Sequence, residues 1–320
     1  MALSDTRIAV IGAGMTAASC VRRLAPLGVT IDIFEKSRGA GGRMATRRLP
    51  NDVTADHGAQ YFTAITNQFQ GFIDDNVNSG NIAEWSVRED KKCYVGTSHM
   101  NSPIKTVFEG RNFFSNHLVS SIEKCENHWW LTANDTIHGP YDYIVSTVPA
   151  PQAKAITENA TLGFEKALDQ VEIAPSWAMM LVFEAPLSHD KVTWRGEDDV
   201  IGWIANNNSK LGRSFEHESW TIHAHAEWSK KYLEIKPDEA ADHLHKAFNR
   251  IMGVTRQPIN KVAHRWLYAQ TVKAHGAPYL VDPSGGFYVG GDWCLGARIE
   301  YAFESGFAIA QAIIEQHGKK

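Results

Sequence analysis

Apolar residues fill positions 8–11, recur at helical spacing at Ala17, Val21, Leu24 and Ala25, and then alternate with polar neighbours at Val29, Ile31 and Ile33 before Glu35. A continuous apolar run suits a strand buried on both faces of a parallel sheet, spacings of three and four mark an amphipathic helix, and Gly28 is a natural stop for that helix. The opening of the chain therefore predicts a βαβ unit of about 30 residues. At the other end, Phe287–Val289 predicts a short strand leading through Gly290 and Gly291 into a helix over residues 297–310. Between residues 151 and 283 the pattern changes to longer segments rich in β-branched and aromatic residues: PSWAMMLVFEAPL, IGWIANN, ESWTIHAHAEW and INKVAHRWLYAQ. One helix interrupts them, Pro237–Met252, with Ala241, Leu244, Ala247, Phe248, Ile251 and Met252 on its apolar side and Pro237 at its start. The expected fold class is α/β: a Rossmann-like domain with a second domain built on a mostly antiparallel sheet plus helices. No internal repeat or low-complexity segment is present.

The turn after the first strand carries Gly12, Gly14 and Ala17. Gly12 permits the tight turn, Gly14 lets the backbone approach a pyrophosphate, and Ala17 keeps the helix close to the sheet. The helix N-terminus adds free N–H groups and a positive dipole end. Glu35, at the end of the next strand, can accept from ribose hydroxyls and would repel a 2′-phosphate. With strand, helix, strand and terminal acid in order, the turn reads as a dinucleotide cradle rather than an ordinary connection.

Two further segments bear on which dinucleotide. EKSRGAGGRMATRR places Gly39, Gly41 and Gly42 ahead of Arg43, with Arg47 and Arg48 behind, where a nicotinamide dehydrogenase would run into its next crossover helix. GGDWCLGARIEYAFESG offers a second tight turn, Asp292, and a helix N-terminus. A single βαβαβ domain has no use for either.

Composition narrows the classes. The 320 residues are 43% hydrophobic and 21% charged with a net charge of −4, an ordinary globular balance with no long basic run to suggest nucleic acid. Length favours two lobes. No apolar stretch approaches the roughly 18 residues of a membrane span, and the N-terminus lacks the regions of a signal peptide. Cys20, Cys93, Cys125 and Cys294 form no CxxC and read as reduced thiols, so a cytoplasmic location is expected. The ten tryptophans read mainly as core.

FEKSRGAGGRMATRR, DHGAQYFTA, IVSTVPAPQ, HRWLYA and GGDWC, in that order and spacing along the whole chain, resemble the bacterial renalases, a branch of the glutathione-reductase and amine-oxidase flavoprotein superfamily. The first and last of these are shared by many flavoproteins; GAQYFT, VPAPQ and HRWLYA are the sharper ones. The resemblance implies FAD as cofactor and a role for each matching residue. Gly12, Gly14 and Ala17 would hold the pyrophosphate, Glu35 would bind the adenosine ribose, and Arg43 and Met44 would line the phosphate and ribityl chain, with Met15, Thr16, Lys36 and Gly42 also among the cofactor-binding residues. Gly58, Ala59, Gln60 and Tyr61 would run along the isoalloxazine. Val119 would touch the adenine, Pro149 would sit where the chain leaves the FAD domain, and Asp292 would bind the ribityl hydroxyls, with Thr147 and Gly291 also among the cofactor-binding residues. Arg298 and Ile299 would start the helix facing flavin N1 and O2. The implied division is an FAD domain over 1–70, 101–155 and 283–320, with a substrate domain over 71–100 and 156–282.

In the second lobe, His264, Trp266 and Tyr268 alternate onto one strand face, and Thr221, His223 and His225 share another. Tyr61, His223, His264, Trp266 and Tyr268 are the substrate-facing candidates; no side chain stands out as a catalytic acid or base. His223 and His225 lack a third and fourth ligand at metal spacing, and His243 and His245 point roughly 200° apart on their helix, so no metal is expected. No GxSxG elbow or placed Cys/His pair supports nucleophilic catalysis.

The resemblance implies an oxidase acting on 2- and 6-dihydropyridine isomers of NAD(P)H. Hydride would pass to flavin N5 and from there to oxygen, giving NAD(P)⁺ and hydrogen peroxide. The expected partners are thus a small reduced nucleotide and oxygen, with no nucleic acid and no membrane. A rearomatising ring carries its own driving force, which suits a site without a strong base. The alternative is an amine oxidase or a related FAD-dependent dehydrogenase or desaturase. A non-enzymatic dinucleotide sensor would need an appended interaction module, for which EQHGKK after the last helix is expected to leave no room.

Overall fold

The computed structural model describes residues 3–158, 160, 162–187, 191–213 and 216–317. The chain divides into two units, one of Met1–Gly42, Ile104–Ile173 and Thr271–Lys320, the other of Arg43–Pro103 and Ala174–Gln270.

The first unit is built on a six-stranded sheet in the order Leu280–Val281, Phe287–Val289, Tyr143–Ser146, Arg7–Ile11, Thr30–Glu35, Asn112–Ser115. The four pairings from Phe287–Val289 onward are parallel and the Leu280–Val281 edge is antiparallel. Ile8, Ala9 and Val10 have no exposed surface, as a strand covered on both faces requires. The second strand departs from its alternating pattern: Asp32, between Ile31 and Ile33, is buried as well. Its carboxylate accepts from Arg7 Nη2 at 2.8 Å, Tyr141 Oη at 2.9 Å and Asn112 Nδ2 at 2.7 Å, so the polar position is satisfied inside instead of facing water.

The helix Met15–Leu24 lies against the C-terminal helix Ile299–His317, which begins close to its expected start and runs further. A Cβ on Gly306 would stand 2.0 Å from the Thr16 carbonyl oxygen, so only glycine lets these backbones meet. A three-stranded antiparallel sheet, Val119–Cys125, His128–Ala133 and Thr136–Tyr141, flanks the core, in which Trp129, Phe287 and Trp293 are fully enclosed.

The second unit carries a five-stranded sheet in the order Thr193–Trp194, Ile201–Asn206, Glu218–Ala224, Glu172–Phe183, Asn260–Lys273. Its pairings from Thr193–Trp194 through Glu172–Phe183 are antiparallel. The helix Pro237–Met252 covers it, and Phe248 packs on Phe183 and Trp220 with ring centroids 6.2 and 5.9 Å apart. ESWTIHAHAEW is not one strand. It ends at Ala224, and His225 is the N-cap of a short helix, Ala226–Lys231, anchored by buried Trp228. His225 therefore leaves the face it was expected to share with His223.

The units exchange the chain after Gly42, Pro103, Ile173 and Gln270, where the sequence suggested residues 70, 100, 155 and 282. The first difference has a clear cause. The small ladder Thr46–Arg48 with Thr54–Asp56 is bonded into the second unit through Ser219 Oγ on the Thr54 carbonyl and Thr221 Oγ1 on the Asp56 carbonyl.

Candidate functional site

In the first unit the turn after Arg7–Ile11 is a cradle. Gly12 has φ +93°, and a Cβ there would meet Thr147 Oγ1 at 2.8 Å, so the protein itself demands glycine. Gly14 differs: its φ of −91° suits any residue, and a Cβ there would meet nothing within 4 Å. It is the N-cap of Met15–Leu24, and no side chain caps that helix. The first intrahelical bond runs from Ala18 N–H to the Gly14 carbonyl, which leaves the N–H groups of Met15, Thr16 and Ala17 outside the ladder. Open space before an uncapped helix N-terminus fits a pyrophosphate, with charge and donors both matched.

The remaining first-unit candidates surround this turn. Gly41 N–H donates to the Ala13 carbonyl at 2.8 Å, and a Cβ on Gly42 would stand 3.5 Å from Gly14 Cα, so the glycine loop folds back on the cradle. Glu35 is buried; Oε2 accepts from Ala13 N–H at 2.9 Å and Oε1 from Ser37 N–H at 2.7 Å. Each oxygen retains a lone pair for a hydroxyl donor. His117 N–H donates to the Glu35 carbonyl, which brings buried Val119 to the end of that strand, while Lys36 is exposed. Thr147 joins the first strand through the Ile11 carbonyl, and Pro149 is the N-cap of the helix Ala150–Ile156. Near the C-terminal helix, Gly291 N–H donates to Ser305 Oγ at 2.9 Å, and buried Asp292 accepts from Thr271 Oγ1 at 3.3 Å. Arg298 pairs with Glu300 at 2.9 Å just ahead of Ile299, where the helix starts.

In the second unit, Gly58 is fixed by packing: a Cβ would lie 2.0 Å from the Arg43 carbonyl oxygen, which accepts from Ala59 N–H at 2.8 Å. Met44 is buried, and Arg43 Nη1 donates to the Ala269 carbonyl at 3.2 Å. Gln60 Nε2 donates to the Asp56 and Gly58 carbonyls, and its Oε1 accepts from Lys210 Nζ at 3.1 Å. Tyr61 packs between Trp85 and Trp203, with centroids 6.4 and 5.9 Å away.

His57 organises the substrate-facing candidates. Its carbonyl accepts from Trp266 Nε1 at 2.9 Å and faces His223 Nε2 at 3.1 Å; its ring lies 5.0 Å from His264 and 4.9 Å from Trp266. His264 and Trp266 meet edge to face at 4.5 Å. Burial, aided by His264 and Arg47, pushes the His57 pKa down to about 3. Burial likewise holds His223 and His264 at about 4, with Arg47 adding to the effect on His264. All three rings are uncharged at neutral pH. Tyr268 is half-buried further along the same strand. Among the described residues no group of three His, Cys, Asp or Glu side chains is placed to hold a metal ion.

Sequence reasoning passed over the residues behind this cluster. Asp56 accepts from Lys210, Arg213 and Thr46, all within the second unit. Burial pushes its pKa up, but the two cations hold its carboxyl far below the usual range. NSKLGR looks like a solvated loop, and nothing in its spacing announces a buried lysine. His57 had a signal, its place next to GAQYFT.

Comparison with known proteins agrees with this geometry. The sequence model for an NAD(P)-binding Rossmann-like domain matches residues 10–75, and that for flavin containing amine oxidoreductase matches residues 88–314. The chain is 24% identical to renalase of Mus musculus over 88% of its own length and 93% of that protein's. Its fold is similar to that of putrescine oxidase bound to putrescine, with a TM-score of 0.71, 12% identity, and 97% and 99% of the two chains covered. It is also similar to a protein from Exiguobacterium sp. 255-15 described as a protoporphyrinogen oxidase, with a TM-score of 0.72, 12% identity, and 97% and 98% covered.

Proposed function

The chain belongs to the flavin containing amine oxidoreductase family and is an FAD-dependent oxidase, and we propose that its substrates are the 2- and 6-dihydropyridine isomers of NAD(P)H. The net reaction would consume the isomer, oxygen and one proton and yield NAD(P)⁺ and hydrogen peroxide. FAD supplies the two-electron acceptor and returns the electrons to oxygen. No helix among the described residues is long and apolar enough to cross a membrane, and the four cysteines are unpaired; we place the activity in the cytoplasm.

The roles of the chain's own residues follow from the geometry. Gly12, Gly14 and the uncapped N–H groups of Met15, Thr16 and Ala17 would bind the cofactor's pyrophosphate, and Glu35 would take its ribose hydroxyls. The observation that carries the substrate reading is the uncharged cluster of His57, His223, His264 and Trp266. It offers flat faces for a pyridine ring and, at neutral pH, no charged acid or base. A donor that rearomatises on losing hydride needs orientation and exclusion of water, not deprotonation. The triad Tyr61, Trp85 and Trp203 favours a second reading, an amine oxidase with an aromatic cage for a neutral amine.

Anaerobic mixing separates the two. Borohydride-reduced NAD⁺, which contains the isomers, should bleach the flavin band and release NAD⁺. Rapid bleaching by putrescine, with none by the reduced nucleotide, would reverse the order.

A further inference from the structure

Among the described residues, one half-buried arginine of the second unit has no acceptor for its guanidinium. Thr46–Arg48 pairs with Thr54–Asp56 in the register Thr46 to Asp56 and Arg47 to Ala55. Neighbouring strand residues face opposite sides. Thr46 turns its hydroxyl onto the Asp56 carboxylate at 2.6 Å, toward the buried ion cluster. Arg47 and, just past the partner strand, His57 turn to the other side, where the His57, His264 and Trp266 rings pack together. The Arg47 charge reaches both histidines and adds to the lowering of their pKa values.

Arg43, Arg213 and Arg265, the other arginines of this unit that are not exposed, all donate to acceptors: the Ala269 carbonyl, Asp56 and Glu234. Arg47 is half-buried, yet among the described residues its guanidinium makes no hydrogen bond and no ion pair. A partly desolvated guanidinium needs a partner on its open edge, water or an anion, and an anion matches its charge as well as its donors. The three histidines beside it are neutral, and Asp56 faces away with two cations upon it. A guanidinium fork matches phosphate oxygens in pairs, and the neutral His264 imidazole can donate its one N–H beside it, whereas His223 gives its own to the His57 carbonyl.

We propose that Arg47 is a specificity-determining residue that binds a phosphate group of the substrate, so that the enzyme prefers nucleotides over nucleosides. This rests on the substrate class proposed above. Phosphate on this arginine could come from the substrate or from the cofactor, and the test separates them.

The probes are borohydride-reduced nicotinamide mononucleotide, with one phosphate, and borohydride-reduced nicotinamide riboside, with none. Bleaching rates of the FAD-loaded wild type should half-saturate at a roughly tenfold or more lower concentration of the mononucleotide. Arg47→Gln should raise that concentration roughly 10- to 100-fold for the mononucleotide, leave the riboside unchanged, and keep the same flavin per chain. Arg47→Lys should recover part of the preference. An Arg47→Gln protein that still favours the mononucleotide overturns the proposal, and one that loses its flavin while keeping the preference reassigns the guanidinium to the cofactor. A second measurement needs no turnover: titration with inorganic pyrophosphate should change tryptophan fluorescence saturably in the wild type, through Trp266, and not in Arg47→Gln. If neither probe bleaches the wild type, the substrate class has failed. The pyrophosphate titration then still decides on Arg47, and equal responses of the two proteins would sink the anion site.

Discussion

The Asp56 carboxylate and the Lys210 ammonium meet at 3.0 Å with no exposed surface on either side chain. Arg213 reaches the same carboxylate oxygen at 2.7 Å, so one buried anion faces two cations. Charge counting then makes the partners unequal. Asp56→Asn would leave both cations uncompensated and should lower the unfolding free energy by about 3–5 kcal/mol. Lys210→Met keeps the Asp56–Arg213 pair and fills the lysine stem's volume, so it should cost less than about 1.5 kcal/mol. Denaturant unfolding of the two variants side by side checks this; equal losses would mean that charge balance does not govern the cluster.

Gly12 and Gly14 should fail differently. At Gly12 the left-handed φ and the 2.8 Å approach to Thr147 act in the protein itself, so Gly12→Ala should lower the melting temperature with or without cofactor. At Gly14 the surrounding space is open, so Gly14→Val should fold normally and emerge colourless. A yellow Gly14→Val protein would move the phosphates elsewhere.

That contrast also shows what the sequence could reveal. The GxGxxA turn, its strand and helix, and Glu35 are written in a local pattern because hydrophobic period and turn chemistry act over a few residues. The Pro237–Met252 helix was legible for the same reason. Asp56 lies 154 residues before Lys210 and 157 before Arg213, so only the tertiary fold brings them together; a lysine in NSKLGR is indistinguishable from a surface one until Asp56 and Trp85 are seen around it. Asp32 misled in the same way: its polar place in an alternating strand implied solvent, but Arg7, Tyr141 and Asn112 close over it. The exit of His225 from its strand depends on Trp228 packing, again invisible locally.

Glu35 does two jobs, and a pair of variants can divide them. Its oxygens accept from Ala13 and Ser37 N–H groups and, on the proposed reading, from ribose hydroxyls. Glu35→Ala removes all of these acceptors and should weaken FAD retention roughly tenfold or more. Glu35→Gln keeps one acceptor oxygen and the shape, and should lose less. Flavin absorbance after dialysis reads the order; equal retention in wild type and Glu35→Ala would refute the role.

The three neutral histidines set a pH dependence of stability. His57 titrates at about 3 and His223 and His264 at about 4 in the folded protein, against 6.5 for an ordinary histidine. Above pH 6.5 neither folded nor unfolded chains carry these protons, so the rings contribute no slope. Below it the unfolded chain takes up protons that the folded chain refuses, so stability falls with pH down to about pH 4. Asp56 acts in a separate window: its folded pKa is depressed, so its contribution is present above 3.8 and lost only as pH falls further. Unfolding free energy should therefore be flat near neutrality and decline from pH 6.5 to 4.5, ahead of any effect from Asp56. His138 and His245, whose pKa values burial also lowers, add to the same decline. His264→Phe keeps an aromatic ring against His57 and Trp266 but removes one contributing site, so the decline should become shallower. Equally steep profiles for His264→Phe and the wild type would show that His264 is already protonated in the folded protein near pH 6, and with it would go the uncharged cluster that the substrate reading requires.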